Sequence, residues 1–318
     1  MLLGVEIGGT KLQLGLGSAD GKINAFQRLQ IDPARGAPGI LGQIEAAIDP
    51  LLAPFRLGRA EIEGVGVGFG GPIDSMSGVV IKSHQVVGWD DFPLAEWFSR
   101  LLGTDRVSVE NDADTAGLAE ARIGAGAGTS PVLYVTIGSG VGGGLIVDGR
   151  IYRGWGGGAT EIGHLRIGEG DDPPTLESIA SGWGIGERAR RHALNDLRDG
   201  QVGGVLLDLA GGTIGRIDAE IVARAALQNN PIALSILHDA TRAMAIALGH
   251  ATTLLAPRTI ILGGGVSLIG EQLWFAPIRR ELGRRVFGPF RGTYRVVPAS
   301  LGELVVVHGA LVLAGDGV

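Results

Sequence analysis

Cysteine is absent from the chain, which excludes disulfides and cysteine zinc sites and is compatible with the cytoplasm. Basic charge is in deficit: 27 Lys and Arg stand against 33 Asp and Glu, a net charge of −6. No long basic block occurs, so a nucleic-acid partner is not expected. The longest uncharged stretches are rich in glycine or belong to amphipathic elements, and none reads as a membrane span. The start, Met1-Leu2-Leu3-Gly4-Val5-Glu6, has neither the basic region nor the apolar core of a signal peptide. What the chain does have is glycine, 56 of its 318 residues, with no G-x-y period to suggest collagen. A hydrophobic share of 45% against 19% charged predicts a globular protein, long enough for two domains.

The glycines cluster at turns between apolar runs, and one such unit occurs twice. Strand 2–7 runs into Gly8-Gly9-Thr10-Lys11, returns through 12–16 and turns at Asp20-Gly21. Strand 132–137 runs into Gly138-Ser139-Gly140, returns through 144–147 and turns at Asp148-Gly149. Each reads as a meander closed by a turn of glycines and hydroxyls. Without a Cβ, such a turn can present backbone N–H groups to a phosphate. One Gly-Gly-Thr turn alone is an ordinary hairpin; a pair facing each other can clamp a polyphosphate, as an ATP-driven phosphotransferase of two related lobes would. The segments 66–71 and 138–143 also fit GxGxxG, but no helix follows as a dinucleotide site requires, so the Rossmann reading is rejected.

Elsewhere the spacing predicts a helix over 36–57, a strand over 63–69, a short strand at 78–81 and a helix over 93–102. Strand 107–110 then meets a helix running to about 123, and Asn111 and Asp112 stand at the junction. A carboxylate there is held rigidly at a strand's C-terminal edge. Asp112 is therefore the candidate base for a hydroxyl, against the alternative of a helix cap. Glu110, on the strand, and Asp114, inside the helix, are poorer candidates. Glu161, His164 and Glu177 form a polar set in a glycine-rich, apolar region, suited to reading sugar hydroxyls, against the alternatives of plain surface residues or the start of a metal site for which no third soft ligand follows nearby. Pro174 is expected to open the helix containing Glu177. Asn230-Pro231 predicts the cap and first turn of a long helix to Leu255. The strand 259–262 ends in Gly263-Gly264-Gly265, which permits close approach of a flat ligand such as adenine or makes a simple turn. The second lobe is expected to begin near Asp114, with a hinge and no linker.

In order, these segments resemble the ROK family of repressors, open reading frames and sugar kinases, within the actin-like ATPase/hexokinase superfamily. The resemblance covers nearly the whole chain. It rests on Glu6-Ile7-Gly8-Gly9-Thr10-Lys11, Val109-Glu110-Asn111-Asp112-Ala113, Thr136-Ile137-Gly138-Ser139-Gly140, Glu161-Ile162-Gly163-His164, Leu176-Glu177-Ser178 and Gly263-Gly264-Gly265. The implied fold is α/β, a two-lobed actin-like ATPase (ribonuclease H-like) fold with an interlobe cleft. Its lobes would be residues 1–113, with a C-terminal helix at about 303–318 packing back, and residues 114–302.

The implied activity is ATP-dependent phosphorylation of a hexose hydroxyl, most often the 6-hydroxyl, by a cytoplasmic homodimer acting on a small-molecule sugar. Asp112 would be the base. Asn111, Glu161, His164, Glu177 and Gln85 would hold the sugar. Gly8, Gly9, Thr10, Lys11, Thr136, Gly138, Ser139 and Gly140 would surround the ATP phosphates, and Gly264 and Gly265 would lie by the nucleoside. Mg²⁺ would bridge phosphate oxygens, held indirectly through Glu6. Three departures stand out. Glu6 replaces the usual Asp. The cysteine cluster that binds zinc in many members is missing between His164 and Glu177, so no zinc is expected. Gln85 replaces a usual Asn. The rival readings are a catalytically silent sugar-binding protein and a regulator; family repressors carry an N-terminal helix-turn-helix domain, for which a phosphate motif beginning at Glu6 leaves no room.

Overall fold

The computed structural model describes residues 1–83, 85–198 and 204–316. The chain opens with β1 (Leu2–Ile7), β2 (Lys11–Gly17) and β3 (Ile23–Gln30), then α1 (Gly36–Leu52), β4 (Gly64–Phe69), β5 (Ile73–Asp74) and β6 (Val79–Val80). It continues with α2 (Leu94–Leu102), β7 (Val107–Asn111), α3 (Asp112–Arg122), β8 (Val132–Ile137), β9 (Val141–Val147) and β10 (Arg150–Ile151). A helical stretch follows, α4 (Leu176–Ala180), α5 (Gly182–Arg198), α6 (Gly204–Leu209), α7 (Ala219–Leu227) and α8 (Pro231–Leu255). The remaining elements are β11 (Thr259–Gly263), α9 (Ala276–Arg285), β12 (Arg295–Pro298) and α10 (Val305–Asp316). Residues 317 and 318 of the expected last helix lie outside the described residues.

The repeat seen at two hairpins extends to two whole sheets. One runs β3–β2–β1–β4–β7 and the other β10–β9–β8–β11–β12, the same order with corresponding strands exchanged. In the first, β1, β2 and β3 pair antiparallel while β1, β4 and β7 pair parallel. In the second, β9–β10 is antiparallel and β11–β12 parallel. By contact density the chain divides into one unit of residues 1–134, 144–159 and 299–318, and another of 135–143 and 160–298.

In the first unit each face of the sheet is covered differently. Leu3, Val5 and Ile7 lie opposite Leu16, Leu14 and Leu12, and all six are buried with Ile40, Ile44 and Ile48 of α1. On the other face Gly15, Gly4 and Gly66 are cross-strand neighbours. There α10 lies almost directly on the strands. A Cβ on Gly66 would stand 1.9 Å from the Ala310 carbonyl oxygen, and one on Gly4 2.8 Å from that of Val307. Gly309 approaches α3 equally closely, 1.9 Å from the Thr115 oxygen by the same measure. The junction before α10 is fixed by Glu120 of α3. Its fully buried carboxylate accepts the N–H groups of Ser300 (2.7 Å), Leu301 (2.8 Å) and Ala125 (2.7 Å), which satisfies a charge that would otherwise be costly to bury.

In the second unit α8 is the central helix. By length and composition it is apolar enough to cross a membrane, contrary to the expectation that no stretch reads so. Its Ile236, Leu237, Met244 and Leu248 are instead buried in the unit, where α4, α5, α7 and α9 pack against it. Asn230 caps it as expected, accepting from the Ala233 N–H at 2.9 Å.

Two helix starts and ends differ from the sequence reading. α1 stops at Leu52, where a 3₁₀ turn at Ala53–Phe55 takes over ahead of the left-handed Arg56 (φ 57°). Pro174 does not open a helix; Thr175 caps α4 by accepting from the Ser178 N–H, and Pro174 pairs with Ile167 in a short ribbon.

The close seat of α10 leaves no room for a methyl group. Gly66→Ala should destabilise the protein by about 2–3 kcal/mol. Gly42→Ala, on the exposed side of α1 with no atom within reach of the new Cβ, should be neutral or stabilising by up to about 1 kcal/mol. Urea unfolding of the two variants checks this; equal midpoints would contradict the close seat.

Candidate active site

In the first unit the site residues gather at the first glycine turn. Gly8 donates its N–H to the Lys11 carbonyl (3.0 Å), closing the hairpin with Gly9 and Thr10 at its tip. Gly70, just past β4, donates to the Ile7 oxygen (2.9 Å), so the ends of β1 and β4 stay level. The Gln85 carboxamide lies against the turn: a Cβ on Gly9 would fall 1.2 Å from its Oε1. The Gln85 segment is anchored by buried Trp89, which meets Phe69 and Phe92 edge-on with ring centroids 5.2 Å apart in each case.

The strand-to-helix junction falls where the sequence put it. Asn111 is the N-cap, accepting from the Ala113 N–H (2.9 Å) and donating through Nδ2 to the Gly71 oxygen (3.1 Å). Asn111, not Asp112, is therefore the cap, and Asp112 occupies the first helical position, where the helix dipole favours a negative charge. Its Oδ2 would be 3.4 Å from a Cβ on Gly70.

Glu6 lies on β1 with only 4% of its surface exposed. Its Oε1 receives the Lys11 ammonium at 2.9 Å, while Oε2 is buried without a hydrogen-bond partner. Burial pushes the carboxyl pKa above its usual value; the Lys11 charge and hydrogen bond oppose this, and the nearby Asp112 charge adds to it. Its cross-strand partner Gln13 is fully buried with neither amide atom partnered.

Sequence reasoning missed Gln13, and it missed Arg153. Arg153 pairs through Nε (2.7 Å) and a second nitrogen with Oε1 of buried Glu110, whose other oxygen accepts from the Ser75 hydroxyl at 2.7 Å. A glutamate on a strand gives no local sign of a partner 43 positions away.

In the second unit the residues gather at the second glycine turn. Gly138 donates to the Gly140 oxygen (2.9 Å), and Gly182, opening α5, donates to the Gly138 oxygen (2.7 Å). Glu177 accepts the Val141 N–H at 2.8 Å, so it holds this turn with one carboxylate oxygen. Glu161 and His164 are exposed near the two ends of a 3₁₀ turn whose middle is buried: a Cβ on Gly163 would stand 2.2 Å from the Val141 oxygen. Thr136 precedes the turn on β8. Gly264 (φ +80°) would put a Cβ within 2.6 Å of the Ile137 backbone, so glycine is required there; a Cβ on Gly265 would meet nothing. The cysteine-free segment 165–176 folds as a ribbon, with Ile167 donating to Pro174 and Leu176 to Leu165, both at 2.8 Å.

Among the described residues no group of three or more His, Asp or Glu is placed to hold a metal ion. Magnesium asks less, since it is bound through one or two carboxylates together with substrate phosphates. The unpartnered Glu6 Oε2, in the field of Asp112, fits that kind of binding.

A duplicated sheet with one glycine turn per copy defines a two-lobed α/β fold of the actin-like ATPase class. The model of the ROK family matches residues 2–316, and the chain belongs to that family. It is 32% identical to a glucokinase of Thermotoga maritima, over 97% of this chain and 95% of the relative. It is 31% identical to a glucokinase of Streptomyces coelicolor, over 99% and 98%. A ROK family glucokinase from Streptomyces griseus, solved in complex with glucose and AMPPNP, superimposes with a TM-score of 0.81 at 31% identity, covering 99% of both chains.

The buried Glu6 yields a pH test. A carboxyl whose pKa is raised on folding holds its proton more tightly in the folded state. Its contribution to stability is complete below the usual value of 4.5 and is lost as pH rises through the raised value. Glu6→Gln cannot ionise, so its stability relative to the natural protein should grow as pH rises above the usual value of 4.5 and through the raised one. Urea midpoints across that range measure it, and a gap independent of pH would contradict the raised value.

Proposed function

We propose that this protein is an ATP-dependent hexose kinase, with glucose as the first candidate and the 6-hydroxyl as acceptor. The observation that carries the reading is full-length similarity to glucokinases in a chain that places a carboxylate, Asp112, at the first helical position after the Asn111 cap. Asp112 accepts the proton of the sugar hydroxyl as its oxygen attacks the γ-phosphorus. Helix α3 and the Asn111–Gly71 tether hold the carboxylate in place, so its orientation is set before substrate arrives.

Glu161 and His164 supply exposed polar groups for sugar hydroxyls, and Asn111 and Gln85 are further sugar contacts. Glu177 has a double role: one oxygen holds the glycine turn, and the other has no partner among the described residues and takes a hydroxyl. The turns 8–11 and 138–140, with Thr136, receive the ATP phosphates, and Gly264 and Gly265 leave space for the nucleoside. Glu6 is the residue that would hold magnesium, which when bound neutralises charge on the phosphoryl group. The same reading makes the enzyme a cytoplasmic homodimer; light scattering checks the dimer.

The test is ADP release from Mg-ATP across a panel of hexoses and hexosamines, with polyphosphate as an alternative donor. Asp112→Asn should lower kcat by about 10²–10⁴-fold with the unfolding midpoint little changed. A folded Asp112→Asn protein with full turnover would refute the assignment of the base.

A further inference from the structure

Within the first unit a cavity of about 380 Å³ is lined by Ser108, Leu118, Arg122, Arg150, Ile151, Arg153, Leu313 and Asp316. That volume suits a small molecule. Three guanidinium groups face it against one carboxylate, in a chain whose net charge is −6. Two of the three are neutralised. Arg122 makes a two-pronged pair with Asp316 (2.6 and 2.7 Å), and Arg153 is held by Glu110. Arg150 has no carboxylate partner among the described residues, and the Ser108 hydroxyl has no hydrogen-bond partner among them. The cavity thus offers a bare guanidinium and an unused hydroxyl beside the apolar walls of Leu118, Ile151 and Leu313. A guanidinium fork matches phosphate oxygens, and a hydroxyl adds a donor.

We propose that this cavity is a regulatory site for a phosphate monoester on a small polar body, namely the hexose phosphate that the reaction above releases. The identity of the ligand rests on that reading; the phosphate chemistry does not. The site is wired to the catalytic junction through one residue. Arg153 lines the cavity and also pairs with Glu110, which is 3% exposed on β7, two positions before Asp112 opens α3. A phosphate that draws Arg153 towards the cavity leaves the Glu110 carboxylate short of its counter-charge, with Ser75 as its remaining partner. A buried carboxylate that loses its cation is strongly disfavoured, so the end of β7 that leads into Asp112 must adjust. Occupancy therefore slows turnover, and product accumulating in the cell restrains its own formation.

The experiment is calorimetric titration without nucleotide, using inorganic phosphate and, separately, glucose 6-phosphate with saturating free glucose to block product binding where the sugar binds. Arg150→Ala is titrated alongside, and Ser108→Ala provides a milder variant. The site predicts binding of both anions, weakened about tenfold or more in Arg150→Ala, as loss of a charged hydrogen bond entails. It also predicts inhibition by product that is not competitive with sugar and is lost in Arg150→Ala, whose turnover without product is unchanged. Equal binding of both anions by the variant and the natural protein would overturn the site. Arg150-dependent binding of inorganic phosphate alone would keep the anion site and overturn feedback by product. That phosphate arm stands even if no sugar is turned over, so failure of the kinase reading is told apart from failure of the site.

Discussion

The seat of α10 on the first sheet is the contact on which the rest of that unit depends. Gly15, Gly4 and Gly66 form a row across three strands, and Gly309 answers them on the neighbouring α3 contact. Backbone then meets backbone, and the helix lies closer than any side chain would allow. The next row along the strands carries Arg28, Gln13, Glu6, Gly68 and Glu110 as successive cross-strand neighbours. Polar residues thus share the helix-covered face with the glycines, and two of them, Glu6 and Glu110, sit at the strand ends near the first turn and the catalytic junction. Burial there is what separates Glu6 from an ordinary surface glutamate and what makes the Arg153 pair matter to Glu110.

The second unit achieves the same end by different means. Its glycine turn is held from behind by hydrogen bonds from Gly182, which opens α5, and to Glu177 in the first turn of α4. The first turn is held by the ends of β1 and β4 and overlaid by Gln85. A common strand order therefore supports two turns whose local supports are unrelated.

Much of this was legible in the sequence because it is local. The two hairpins, the Asn111–Asp112 junction, the Asn230 cap and the triple glycine at 263–265 each depend on residues within a few positions, where turn and cap chemistry operates. The capping role, left open between neighbours, went to Asn111 because its short amide reaches the Ala113 N–H. What the sequence did not disclose is long-range. The Glu120 clasp on Ser300 and Leu301 spans 180 residues or more. The Arg153–Glu110 pair and the buried, unpartnered Gln13 belong to sheet packing, which no window of sequence contains. Pro174 misled for the same reason: its ring suits a first helical turn, yet the pairing of 165–167 with 174–176 claims it for a ribbon.

The seat of α10 also has a consequence for how the molecule is made. The glycine face of β4 is complete once Phe69 has been synthesised, but its cover begins only at Val305. At about 5–20 residues per second a ribosome takes roughly ten to fifty seconds to supply it. During that interval the nascent sheet carries a groove of bare backbone and buried-to-be charge with nothing upon it. Such a surface is where a chaperone would bind and where aggregation would start, so cellular yield of this protein should be governed less by its final stability than by how that interval is spent.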